Sequence, residues 1–223
     1  MKSTVAKRKT FVEGIKDQFS TKTLVLIPIS VGINLVGGMI ASSLKLPLFL
    51  DMIGTILSAA LGGPWVAALV GFLTNIFLAL VSNPVYLPYS LVSVGCGLVA
   101  GFMIRGGLFK KWWGIVLTCI AVTLISVIIS STITVLVFGG ATGATGSSIL
   151  TATLIAATQN IIKSVVASSF IENLADRAIA FVLAYIILKR IPKRFLSQYS
   201  IDSMSEDNMD DDEQSKQGET ENQ

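Results

Sequence analysis

Residues 170–195, FIENLADRAIAFVLAYIILKRIPKRF, put Glu172, Asn173, Asp176 and Arg177 at the head of an apolar run and Lys189, Arg190, Lys193 and Arg194 at its foot. As a helix rising about 1.5 Å per residue, 171–188 covers roughly 27 Å, close to the hydrocarbon thickness of a bilayer. Short flanks rich in Lys and Arg stay on the cytoplasmic side. The polar head is therefore the outer end, and its charges cost free energy in lipid unless they face water, protein or a ligand. The segment predicts a last membrane-spanning helix with ligand-capable groups at its outer mouth.

The rest of the chain fits a membrane setting. Hydrophobic residues make up 52% and charged residues 14%, with a mean hydropathy of +0.71, which is too apolar for a soluble domain of this length. There is no histidine, which removes His-based metal sites, His general bases and Ser-His-Asp triads. Cys96 and Cys119 sit in apolar runs without metal-ligand spacing and read as packing residues. The net charge of +3 conceals basic residues gathered at membrane flanks and acids gathered at the C-terminus. No basic stripe with interleaved aromatics points to nucleic acid.

The expected organisation is a basic cytoplasmic N-terminus over 1–22, a membrane domain over 23–195 and a disordered acidic tail over 196–223. Residues 11–19 have helical apolar spacing suited to the inner membrane surface. The first span, 23–42, carries small groups every fourth residue in several rows: Pro28, Gly32 and Val36; Ser30, Asn34 and Gly38; and Gly37 and Ala41. Such rows allow close helix approach in lipid, within this bundle or against a partner. Asp51 opens a short apolar stretch ended by Gly62, Gly63 and Pro64, and 65–81 forms the third span. Residues 82–88 read as an outer loop holding Tyr86, with Tyr89 just inside the fourth span, which ends before Arg105. The fifth span, 114–138, is rich in Ser and Thr, whose hydroxyls can bond back to helix carbonyls. Residues 139–148 read as a flexible outer loop, and 149–169 as an outer or re-entrant helix, because a seventh crossing would turn the final basic cluster outward. The fold class is thus an all-α membrane protein with a six-helix bundle.

In this topology Asp51, Tyr86, Tyr89, Gln159, Asn160, Glu172, Asn173, Asp176 and Arg177 all lie near the outer face. Glu172 and Asp176 are four residues apart, as are Asn173 and Arg177, so the four share one helical patch. The patch reads as a hydrogen-bonding site for a small polar nutrient, or as an internal charge cluster in which Arg177 pairs with Asp176 or Asp51. No catalytic constellation, metal set or nucleotide-binding motif is present, so no cofactor is expected and uphill movement would need a partner or an ion gradient.

The strings INLVGG at 33–38, LPLFLDMIGTILSAALGGPWVAALVGFLTN at 46–75 and ENLADRAIAFVLAYIILKRIPKRF at 172–195 resemble the substrate-binding S component of an energy-coupling factor (ECF) vitamin transporter. The resemblance implies capture of a vitamin or related micronutrient at the outer face of a bacterial plasma membrane. It implies delivery through a transmembrane coupling subunit and two ATPase subunits, while the basic flanks read above put both termini in the cytoplasm. It also implies docking of the first helix through small residues, here Gly32 and Val36 or Ser30, Asn34 and Gly38. A membrane sensor and a small ion-coupled carrier using Asp51, Glu172 and Asp176 are the other readings.

Overall fold

The computed structural model describes residues 11–16, 18–143 and 147–192. Residues 1–10 and the acidic stretch 196–223 lie outside them, so the expectations for the first ten residues of the N-terminal arm and for the tail fall on residues that are not described. Among the described residues the secondary structure is helical: α1 (Phe11–Lys16), α2 (Thr21–Ser43), α3 (Ile53–Gly62), α4 (Pro64–Val81), α5 (Tyr86–Arg105), α6 (Trp112–Phe138), α7 (Ser147–Thr158) and α8 (Ile161–Arg190), with one 3-10 turn at Leu108–Lys110.

Four helices, α2, α4, α5 and α6, are long and apolar enough to cross a membrane. The faces they turn outward carry Val25, Leu80, Leu91, Phe102, Ile128 and Leu136, each more than half exposed. The interior, by contrast, holds many hydroxyls and amides, among them Asn34, Thr55, Thr74, Asn75, Ser126 and Ser168. Apolar outside and polar inside is the arrangement that lipid favours and water does not.

The expected spans shift in two places. α3 has 10 residues, about 15 Å, and every residue from Gly54 to Gly62 is buried. It is a core helix reached through an irregular stretch in which Lys45 and Leu50 have positive φ (50° and 51°). The last helix does not start at 170: α8 runs unbroken over 30 residues from Ile161. The chain breaks before it at Gln159, whose φ of 52° stops α7, and Asn160 caps the new helix by accepting the Lys163 N–H at 3.1 Å. α7 therefore pairs with the first turns of α8 as a hairpin, with Thr151 on Ser168 at 2.8 Å and Thr158 on Ser164 at 2.6 Å.

α2, α3 and α4 form one half of the bundle. Gly54 lets α3 press on α2, since a Cβ there would collide with the Ser30 carbonyl. Gly63, at φ 94° between α3 and α4, turns the chain, and Pro64 starts the next helix. α2 and α4 run parallel with a constant offset, Asn34 bonding Thr74 and Gly38 packing on Leu78. This corrects one docking expectation: Ser30, Asn34 and Gly38 face into the bundle, with Ser30 1% and Asn34 0% exposed. Gly32, where a Cβ would meet nothing within 4 Å, and Val36, 60% exposed, lie on the outer side.

α5, α6 and α8 make the other half, α6 being antiparallel to both neighbours. Tyr89 meets Thr134, and Cys96 donates to the Val122 carbonyl, while Ser126 contacts Asn173 and Gly140 approaches Val165. α4 and α5 are also antiparallel, Gly101 lying on Pro64 and Gly97 on Ala67. The basic ends of α5 and α8, Arg105 and Lys189–Arg190, thus share the end of the bundle where α4 and α6 begin.

Candidate functional site

At the opposite end a cavity of about 60 Å³ opens between the two halves. Asp51, Tyr86, Tyr89, Glu172, Asn173 and Arg177 line it. Tyr86 does so from the first turn of α5 and not from a loop, because that helix starts earlier than the sequence suggests. Gln159 and Asn160 are elsewhere, exposed beside Val135 and Gly139 at the α7–α8 break, where Asn160 serves its helix as a cap.

Asp176 is close by but turned away. Its Oδ1 accepts the Phe49 and Leu50 N–H groups at 3.0 and 2.7 Å, and its Oδ2 accepts Arg177 Nη1 at 2.7 Å. It is wholly buried. Its work is to hold the irregular lead-in to α3 and to answer the guanidinium. Arg177 is equally committed: Nη2 donates to Ser126 Oγ at 3.1 Å and to Asn173 Oδ1 at 3.4 Å, and Nη1 also stands 3.9 Å from Asp51. Asn173 in turn accepts from Ser126 Oγ at 2.5 Å and donates to the Ser169 carbonyl at 2.8 Å. The i, i+4 spacing on α8 thus yields one connected polar strip, cross-linked to α6 through Ser126.

Glu172 stands apart from that strip. It is 6% exposed, and its Oε1 has no hydrogen-bond partner among the described residues. A buried carboxyl oxygen without a partner is costly, and native proteins seldom leave one without a use.

Further lining residues lay hidden in the apolar runs. Asn75 on α4 donates to Ser93 Oγ at 2.7 Å. Ser130 and Thr134 come from α6, with Thr134 on the Tyr89 hydroxyl at 2.6 Å. Tyr89 also stacks on Phe138, ring centroids 5.9 Å apart and 6° from parallel. Gly140, Ala141 and Thr142, with Ser148 and Thr151 of α7, complete the wall.

A bundle with a lipid-type exterior, a small polar cavity at one end and basic residues at the other suits a membrane binding subunit. A family model described as the ECF transporter substrate-specific component matches residues 22–188. The chain belongs to this family. Neither curated proteins nor solved structures gave a match. The chain is therefore a multi-pass membrane protein and a substrate-specific subunit of an ECF transporter, a transporter component rather than an enzyme. The matched region of this S component includes both halves of the bundle and every residue of the cavity wall.

Proposed function

We propose that this S component captures a vitamin or related micronutrient in the cavity at the α8 end carrying Glu172, on the outer face of a bacterial plasma membrane. A transmembrane coupling subunit and two ATPases then drive import. Asp51, Tyr86, Tyr89, Glu172, Asn173 and Arg177 form the binding wall, with Asp176 holding it in shape. The observation that carries this reading is Glu172, a buried carboxyl facing the cavity with an unpartnered oxygen.

The orientation rests on charge. Arg105, Lys111, Lys189 and Arg190 cluster at the end away from the cavity, which the positive-inside rule puts in the cytoplasm together with both termini. The membrane domain covers 23–195, between a basic arm at 1–22 and an acidic tail at 196–223. It is a six-helix bundle of α2, α3, α4, α5, α6 and α8, in which α3 crosses with the help of its irregular lead-in. Docking to the coupling subunit uses the outward Gly32 and Val36 row of α2.

Reconstitution in vesicles tests the proposal. With the coupling subunit and both ATPases present, uptake of the bound micronutrient requires ATP. Ligand binding with no uptake in the complete assembly would instead identify a sensor.

A further inference from the structure

Three carboxyl groups, Asp51, Asp176 and Glu172, stand at or beside the cavity, and the one guanidinium there, Arg177, is 2.7 Å from Asp176 and 3.9 Å from Asp51. Arg177 is already engaged by Asp176 through Nη1, and by Ser126 and Asn173 through Nη2. Among the described residues Glu172 has neither an ion-pair partner nor a hydrogen bond to Oε1, although it is more than nine-tenths buried and lines the cavity. Burying a carboxylate without compensation is strongly unfavourable, and a bound cation relieves that cost.

The rest of the wall favours the same partner. Phe49, Tyr86 and Tyr89 bring three aromatic residues to the cavity, and aromatic faces attract cations, the more so when water is excluded. An anionic ligand would meet the reverse conditions. Its charge would sit near Asp51 and Glu172, and Arg177, whose Nη1 is held by Asp176 and whose Nη2 is held by Ser126 and Asn173, has an unpartnered Nε–H. That N–H is better matched to a neutral acceptor on the same ligand, such as a carbonyl or ring nitrogen.

We infer that the cavity selects a small organic cation, an alkylammonium or a positively charged nitrogen heterocycle, seated with its charge against Glu172 and its body among Phe49, Tyr86 and Tyr89. This names the substrate class of the capture site proposed above and rests on that reading.

Three probes of one shape and different charge test it on the full chain in detergent: benzylammonium, benzyl alcohol and benzoate, compared by thermal stabilisation and by equilibrium binding. Benzylammonium is expected to bind at least about tenfold more tightly than benzoate, with benzyl alcohol between them. Glu172→Gln should abolish the advantage of the cation over the alcohol. The wild-type ranking stands without the variant, should the variant fail to fold. Equal binding of alcohol and ammonium would make Glu172 a neutral hydrogen-bonding group and overturn the inference. So would tighter binding of benzoate, an unchanged ranking in Glu172→Gln, or no binding of benzylammonium at all. Copurification with a coupling subunit and two ATPases, read on the same preparation, separates the two levels. A chain that assembles but prefers benzoate keeps the transport reading and loses this one, while a chain that prefers the cation but assembles with nothing does the opposite.

Discussion

Asn34 and Glu172 are both polar side chains buried in an apolar bundle, and their surroundings differ completely. Asn34, between α2, α3 and α4, donates to Thr55 at 2.9 Å and Thr74 at 3.1 Å and accepts the Gly54 N–H at 2.7 Å. Its amide ties three helices together, with both of its hydrogens donated inside the bundle. Glu172, on the cavity side, leaves an oxygen unanswered. A buried polar group whose bonds are made within the bundle specifies packing, whereas a buried carboxyl left open on a cavity wall is available to something bound there. By the same criterion Asp176 belongs with Asn34, although it is only four residues from Glu172.

Substitutions can break this contrast, and the largest effect is expected at Asp176. Asp176→Ala frees two backbone N–H groups and leaves Arg177 without its 2.7 Å partner. Breaking a buried pair from one side costs about 3–5 kcal/mol, so thermal unfolding in detergent should show severe destabilisation. Retention of wild-type stability would mean that Asp176 faces ligand and not the lead-in to α3. Next comes Asn34→Ala, which strands the Gly54 N–H and two hydroxyls for about 2–3 kcal/mol. Its effect should appear in stability and not in ligand affinity measured on the folded fraction.

Glu172→Gln should reverse that pattern, with stability unchanged or slightly raised and affinity for the native ligand reduced about tenfold or more. Parallel losses in stability and affinity would erase the distinction from Asn34. The smallest effect is expected for Asn160→Ala. Loss of the α8 cap costs about 1 kcal/mol, with no change in binding, and a loss of affinity there would bring the α7–α8 break back into the site.

The four long apolar helices were legible because hydropathy alone defines them. The first turns of α8 were not. Lys163 and the surrounding hydroxyls dilute the apolar signal, and the useful clue, an Asn three residues before Lys163, is a capping pattern easily mistaken for a ligand group. The rows on α2 looked alike because small residues suit an inner crossing and an outer docking face equally well; only Gly54 against Ser30 and Asn34 on Thr74 show which row is inside. Similarly, the spacing of Glu172, Asn173, Asp176 and Arg177 announced a common patch but could not divide it. The partners of Asp176 are Phe49 and Leu50, more than a hundred residues away, and no local pattern encodes that contact. Ser126, Ser130 and Thr134 recur every four residues on α6 and could have been read as one polar face. Back-bonding to helix carbonyls, which Thr118, Thr123 and Thr132 do adopt, made that reading ambiguous.

The most direct test of the account is native mass spectrometry of the wild-type chain and Glu172→Gln, each purified gently from the host and recorded side by side. The account predicts a complex with a coupling subunit and two ATPases in both samples, with a small molecule retained by the wild type and lost from the variant. The same ligand held equally by both would contradict it, because the open carboxyl of Glu172 would then not be what the cavity uses to bind.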